Sequence, residues 1–192
     1  SNGNIEILGE KVVASSFLYR EKLGVVWEIP YFQEQLTGRQ NLELHCAYMN
    51  LSKTDNVHRT LECLDMKAVA DIPVKEYSKG LKRRLDIARA IVTKPELLLL
   101  DEPFQQIDLK NREEIGMLLK TFRERLGTSV FVTSSSADDL DGLVDRIGFI
   151  ERGTISKELS ATEYSEWLEE QKKAVWKNEG NVQTCPIRVG TE

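Results

Sequence analysis

Two short segments hold residues that can do chemistry together. In Leu97-Leu98-Leu99-Leu100-Asp101-Glu102-Pro103, an apolar run of strand length ends in two adjacent acids. A buried strand of this kind delivers its last side chains to the carboxyl edge of a sheet, where ligands gather in open α/β folds. A carboxylate held there can take a proton from water as a general base. In Tyr77-Ser78-Lys79-Gly80-Leu81-Lys82-Arg83-Arg84-Leu85, a small polar turn opens a basic amphipathic helix. Ser78 suits the N-cap, and the free amides of a helix N-terminus attract anions. Each segment also has a plain structural reading: a core strand running into a charged turn, and an ordinary serine-capped helix.

The surrounding pattern indicates what positions them. Leu81, Leu85, Ala88, Ile91 and Val92 form the apolar stripe of the helix after Ser78, and Pro95 stops it. The run Leu97–Leu100 predicts a strand buried on both faces, and Ser129–Thr133 predicts a second. Between them the spacing of Ile115, Leu118, Leu119 and Phe122 predicts a helix over Asn111–Leu126, with Asp108 available as its cap and Gly127 ending it. Upstream, Asn4–Gly9 and Leu23–Trp27 read as short strands, the latter stopped near Pro30. A helix follows from Thr37, with Leu42, Cys46 and Met49 inward and Thr37 or Asn41 as cap, and another spans Asp55–Leu64. Downstream, Ala137–Val144 reads as helical, Arg146–Glu151 and Thr154-Ile155 as a hairpin around Arg152-Gly153, and Ser160–Trp176 as a last amphipathic helix before a polar tail. The order describes an α/β core carrying a helical insertion.

Composition narrows the class of protein. With 192 residues, 41% hydrophobic and 30% charged, the chain has the make-up of one globular domain. Its apolar runs fall far short of the roughly 18 residues that span a bilayer. A net charge of −5 argues against nucleic acid as a partner. Cys46, Cys63 and Cys185 are scattered and odd in number, which fits a reduced cytosolic protein better than a disulfide scaffold or a zinc site.

The two segments, in this order and spacing, resemble the signature motif and Walker B strand of ABC-type ATPases, and the resemblance runs from about Gly3 to Ile155. It implies a P-loop NTPase-like core with a parallel sheet and a helical signature subdomain. The subdomain would cover about 37–93, the remaining core about 94–158, and the C-terminal helix and tail 159–192, all within one domain. It implies ATP and Mg²⁺ as ligands, with Asp101 helping to hold the metal and Glu102 activating the attacking water. Tyr77-Ser78-Lys79-Gly80-Leu81 stands where the family has L-S-G-G-Q. Ser78 and Gly80 are kept, while Lys79 and Leu81 depart. By that resemblance Ser78, Lys79 and Gly80 face the γ-phosphate held by an opposite subunit. Asp108 matches the D-loop aspartate that touches the partner's site. Ser135 stands where the family places a histidine against the γ-phosphate, and a serine cannot carry the same positive charge.

Glu28 occupies the place of the Q-loop glutamine, which ligates Mg²⁺ and links the site to the membrane part of a transporter. Glutamate there, with Gln40–Cys46 and Tyr77–Leu85, resembles the lantibiotic-immunity and bacitracin-export branch. The implied partners are a membrane-spanning transporter subunit and a second ABC ATPase subunit. The implied location is cytoplasmic, on the inner face of the cell membrane. No G-x-x-x-x-G-K-[ST] occurs in the sequence. The family's first strands, its adenine-stacking aromatic and its Walker A loop have no counterpart before Gly3, so this chain alone is expected not to bind ATP tightly. Two rival readings stand beside the exporter ATPase. One is a non-catalytic partner that contributes only the signature half-site. The other is a soluble ABC ATPase without a transport role. In the solvated-face reading, Lys82, Arg83 and Arg84 form the exposed side of the signature helix.

Overall fold

The computed structural model describes residues 3–13, 22–51 and 54–179, so Cys185 and nearly all of the polar tail lie outside the described residues. The chain divides into two compact units, Ser1–Ser135 and Ser136–Glu192.

In the first unit, strands β1 (Glu6–Ile7) and β2 (Glu10–Lys11) form a small antiparallel hairpin. Its turn places Leu8 and Gly9 at φ of 52° and 79°. The functional part is built on a three-stranded parallel sheet in the order β3 (Leu23–Val26), β4 (Leu97–Asp101), β5 (Ser129–Thr133). Four helices serve it: α1 (Gly38–Tyr48), α2 (Thr54–Cys63), α3 (Lys79–Ile91) and α4 (Leu109–Leu126). Helix α1 starts in a capping box, because Thr37 accepts from the Gln40 amide while the Gln40 side chain accepts from the Thr37 amide. Asn41 does not cap. It is buried, its oxygen accepts from the Gln33 amide, and its amide group donates to the carbonyls of Gln33 and Thr37, which fixes the loop ahead of the helix. Ser78 caps α3 by accepting from the Leu81 amide, and Asp108 caps α4 by accepting from the Asn111 amide. Gly127, at φ 65°, ends α4 in the left-handed conformation that glycine adopts without steric cost.

The expectation that Leu97–Leu100 and Ser129–Thr133 are buried on both faces needs correction. Leu98 and Leu100 are buried, but Leu97 and Leu99 are only half-covered, and Phe131 of β5 is 62% exposed. The packed face is the one toward α3. A Cβ on Gly24 would lie 2.3 Å from the Ala90 carbonyl oxygen and 2.8 Å from Leu98 Cδ1, so only glycine admits α3 this close to β3. The register places Gly24 beside Leu98 and Val130, and Val26 beside Leu100 and Val132, on that face. Among the described residues the other face has no comparable cover. A continuous apolar run shows that a strand tolerates burial on both sides, not how many layers meet it.

The second unit is smaller. Strands β6 (Arg146–Glu151) and β7 (Thr154–Ser160) form an antiparallel hairpin. Helix α5 (Ala161–Glu179) covers it through Tyr164 and Leu168, packed with Ile147, Phe149, Leu159 and Trp167. Phe149 lies edge-on to Trp167 at 4.9 Å between centroids, and Tyr164 stacks on Trp167 at 5.7 Å. The Tyr164 hydroxyl donates to the Ala137 carbonyl at 2.6 Å. The helical reading of Ala137–Val144 shortens to a single 3-10 turn, Ala137–Leu140, followed by Gly142 at φ 66°. The apolar spacing that suggested a longer helix serves instead to set Ala137, Leu140 and Val144 against the Tyr164 cluster.

Candidate functional site

The acid pair lies at the carboxyl end of the central strand. Asp101 is the last residue of β4, exposed, and paired in register with Thr133 of β5. The Thr133 hydroxyl donates to Asp101 Oδ1 at 2.6 Å and accepts from the Glu102 amide at 3.2 Å. One hydroxyl therefore fixes both acids, orienting the carboxylate of the first and the backbone of the second. Glu102 leaves the strand at φ 45°, a left-handed turn unusual for a residue other than glycine, which swings its side chain off the strand direction. The Ser135 hydroxyl donates to Glu102 Oε2 at 3.3 Å. Asp101, Glu102, Thr133 and Ser135 thus form one constellation at the edge of the sheet. Thr133 was not singled out from sequence. The signal was present, since a residue level with Asp101 on the neighbouring strand must lie beside it, but strand register is not written in one strand alone.

The turn at Ser78–Gly80 forms a second constellation with the start of α4. Lys79 Nζ donates to Gln106 Oε1 at 2.9 Å, and Gln106 itself sits at φ 58°. A Cβ on Gly80 would lie 2.8–3.0 Å from the side-chain amide of Asn111, so glycine here admits the contact between α3 and α4. Asn111 in turn donates to Asp108 Oδ2 at 2.6 Å. The Asp108 carboxylate, held chiefly by the Asn111 amide and side chain, sits below its ordinary pKa and stays charged. Ser78 is exposed and uses its oxygen as an acceptor from Leu81, which leaves its O–H to donate outward.

Glu28 follows β3 in an exposed segment with Trp27, Ile29 and Tyr31, which are 58%, 79% and 74% exposed. What holds this segment is the largest departure from the sequence reading. Arg83 is not on a solvated face. It is 3% exposed and donates to the carbonyls of Trp27 at 2.5 Å and Glu28 at 2.7 Å, with a longer contact to that of Glu102 at 3.5 Å. Asp86, fully buried, accepts from the Trp27 amide at 3.3 Å, pairs with Arg83 at 3.7 Å, and is bonded by Arg89. Arg89 also donates to the Tyr31 carbonyl at 2.6 Å and lies over the Phe32 ring at 4.9 Å. Arg84 pairs with Glu114 and donates to Asn111. Of the three basic residues, Lys82 comes nearest to that expectation, half-buried with its ammonium reaching Glu34 at 2.7 Å. A basic cluster on a helix reads as surface because charge burial is costly. Here two carbonyls and a buried carboxylate meet the cost.

Burial pushes the Arg83 guanidinium below its ordinary pKa, while Asp86, Glu28 and Asp101 act to raise it. Burial also lifts Asp86 from 3.8 to about 6, opposed by Arg89, Arg83 and the Trp27 amide. The folded chain therefore binds this proton more tightly than the unfolded chain. The stability so contributed, roughly 3 kcal/mol for such a shift, is fully present below pH 3.8 and is lost as pH rises through about 6. His45, near Arg89, opposes it. Burial and Arg89 depress its pKa, so its contribution is lost as pH falls below the unfolded value of 6.5. In a His45→Gln background the urea midpoint is expected to rise from pH 7 to pH 5, and Asp86→Asn should flatten that rise. A midpoint that falls over the same range would contradict the assignment.

The donors at the sheet edge are the hard oxygens that Mg²⁺ prefers. Among the described residues no group of three or more His, Cys, Asp or Glu is placed to hold a metal by itself. Such a set suits Mg²⁺ held by one or two carboxylates together with phosphate oxygens, as that ion is commonly bound.

A parallel sheet with paired acids at its carboxyl edge is the layout of an open α/β domain that gathers its ligands at the strand ends. The family model for the ABC transporter matches residues 1–105, and the chain belongs to this family as an ABC transporter ATP-binding domain. It is 36% identical over 160 residues to the ABC transporter ATP-binding protein YcbN of Bacillus subtilis, covering 83% of this chain and 52% of that protein. It is 30% identical over 159 residues to the bacitracin transport ATP-binding protein BcrA of Bacillus licheniformis, again covering 83% and 52%. The chain thus spans about half the length of the curated relatives it matches. Among solved structures it is similar to the dimeric bacterial ABC transporter cassette MJ0796, with a TM-score of 0.74 and 26% identity over 84% of this chain and 74% of that one. The fold is thereby that of the ABC ATPase cassettes, as expected.

Proposed function

We propose that this chain serves as the ATP-binding subunit of an ABC exporter acting on a peptide antibiotic or similar toxic compound. The observation that carries the reading is the shared hydroxyl of Thr133, which holds the Asp101 carboxylate and the Glu102 backbone amide together at the sheet edge. Asp101 and Glu28 would hold Mg²⁺, which when bound neutralises charge on the phosphates. Glu102 would take the proton of the attacking water as its oxygen bonds to the γ-phosphorus and the bond to the leaving ADP oxygen breaks. Ser135 would orient Glu102 rather than replace a histidine's charge. Ser78, Lys79, Gly80 and Asp108 would complete the nucleotide site of a second subunit, in a head-to-tail pair. The exposed Trp27, Ile29 and Tyr31 around Glu28 supply an apolar surface for a membrane-spanning subunit. Among the described residues no helix is long and apolar enough to cross a membrane. The reading therefore places the chain on the cytoplasmic face through that partner. The names of similar proteins concerned with bacitracin transport and daunorubicin resistance support the substrate class.

The test is binding of a fluorescent ATP analogue with Mg²⁺ to a phosphate-loop-bearing ABC subunit, with and without this chain. The chain is expected to tighten that binding, and Ser78→Arg is expected to abolish the effect. Equal binding in all three cases would defeat the half-site assignment.

A further inference from the structure

We propose that Arg83 is a positioning residue that locks the Glu28 segment to the signature helix and to the Glu102 turn, so that the three move as one body. The inference rests on the ATPase reading for its functional consequence and on geometry alone for the lock itself. The Glu28 segment has little side-chain anchorage of its own, since Trp27, Ile29 and Tyr31 all face solvent. Its hold on the unit is polar and comes largely from α3. The Arg83 fork reaches two successive carbonyls, those of Trp27 and Glu28, while Asp86 accepts from the Trp27 amide just ahead of them. Arg89 holds the same segment three residues further on, at the Tyr31 carbonyl. The guanidinium also contacts the Glu102 carbonyl, on the turn that aims the proposed general base. It lies within the field of Glu28 and Asp101, the two proposed metal ligands.

Only arginine provides this arrangement. Its planar group presents several donors in a rigid fork, whereas lysine has one compact head that cannot reach two carbonyls and a carboxylate at once. The residue touches neither nucleotide nor water in this assignment, and acts through the backbone it holds. A push on the exposed Glu28 segment by a docked partner would therefore reach both the signature helix and the Glu102 turn through one buried side chain.

The lock is tested by hydrogen–deuterium exchange on the full chain. In Arg83→Lys, amides of residues 25–29 and 102–105 are expected to exchange at least tenfold faster, while those of α2 and of the β6–β7 hairpin keep their rates. Arg83→Gln, which retains a single donor pair without charge, should give the same local pattern. Unchanged rates at 25–29, or acceleration spread evenly over the chain, would overturn the proposal. In the assembled ATPase, Arg83→Lys is expected to lower kcat about tenfold with KM for ATP unchanged, and a rise in KM with kcat intact would overturn the positioning role. The exchange result decides the lock even if hydrolysis proves insensitive to Glu102, which would be the failure of the ATPase reading instead.

Discussion

Under the proposed function, in which Glu102 is the general base, its replacement by glutamine is expected to lower ATP hydrolysis by the assembled ATPase by roughly 10²- to 10⁴-fold, the range such a group contributes. Nucleotide binding should be little changed, because the substitution keeps the side chain's size and its contact with Ser135. The turn itself is held without the Glu102 side chain. The φ of 45° and the hydrogen bond that the Glu102 amide donates to the Thr133 hydroxyl do not depend on the carboxylate. The loss should therefore fall on kcat. Phosphate release under saturating ATP measures it directly. Hydrolysis retained in Glu102→Gln would mean that the water is activated elsewhere, and the non-catalytic half-site reading would then lead.

The second large effect is on stability. Asp86→Ala is expected to cost about 3–5 kcal/mol, as when one partner of a buried ion pair is removed. Asp86 is fully buried and is the carboxylate partner of both Arg83 and Arg89. Its removal leaves the buried Arg83 without its counter-charge and frees the Trp27 amide. Asp86→Asn should cost less, since the amide oxygen can still accept from Trp27. Urea unfolding of the two variants at pH 7 distinguishes them. A cost below about 1 kcal/mol for the alanine variant would show that the arginines are satisfied by carbonyls alone.

Much of this was legible in the sequence for identifiable reasons. Caps at Ser78 and Asp108, the stop at Gly127 and the run ending in Asp101 are local signals, set by residues a few positions apart. They suffice to place the acid pair at a sheet edge and the Ser78 turn at a helix start. Gly80 shows a limit. Its place at the start of a serine-capped helix is legible locally, yet its close approach to Asn111, some thirty positions away, is not. Lys82, Arg83 and Arg84 show another. Three adjacent basic residues look alike in sequence, but a helix turns each by about 100° and sends them to different surroundings.

The sequence by itself determined the elements, their order and the residue types delivered to each end, because hydrogen-bonding caps, apolar period and glycine placement act over short distances. Only the tertiary structure decided the pairings that give those residues their roles. Strand register put Thr133 beside Asp101, helix packing put Asn111 against Gly80, and the seating of α3 on β3 buried Arg83 beneath the Glu28 segment. Those contacts join residues tens of positions apart, and their partners are chosen by which surfaces exclude water together rather than by any spacing along the chain.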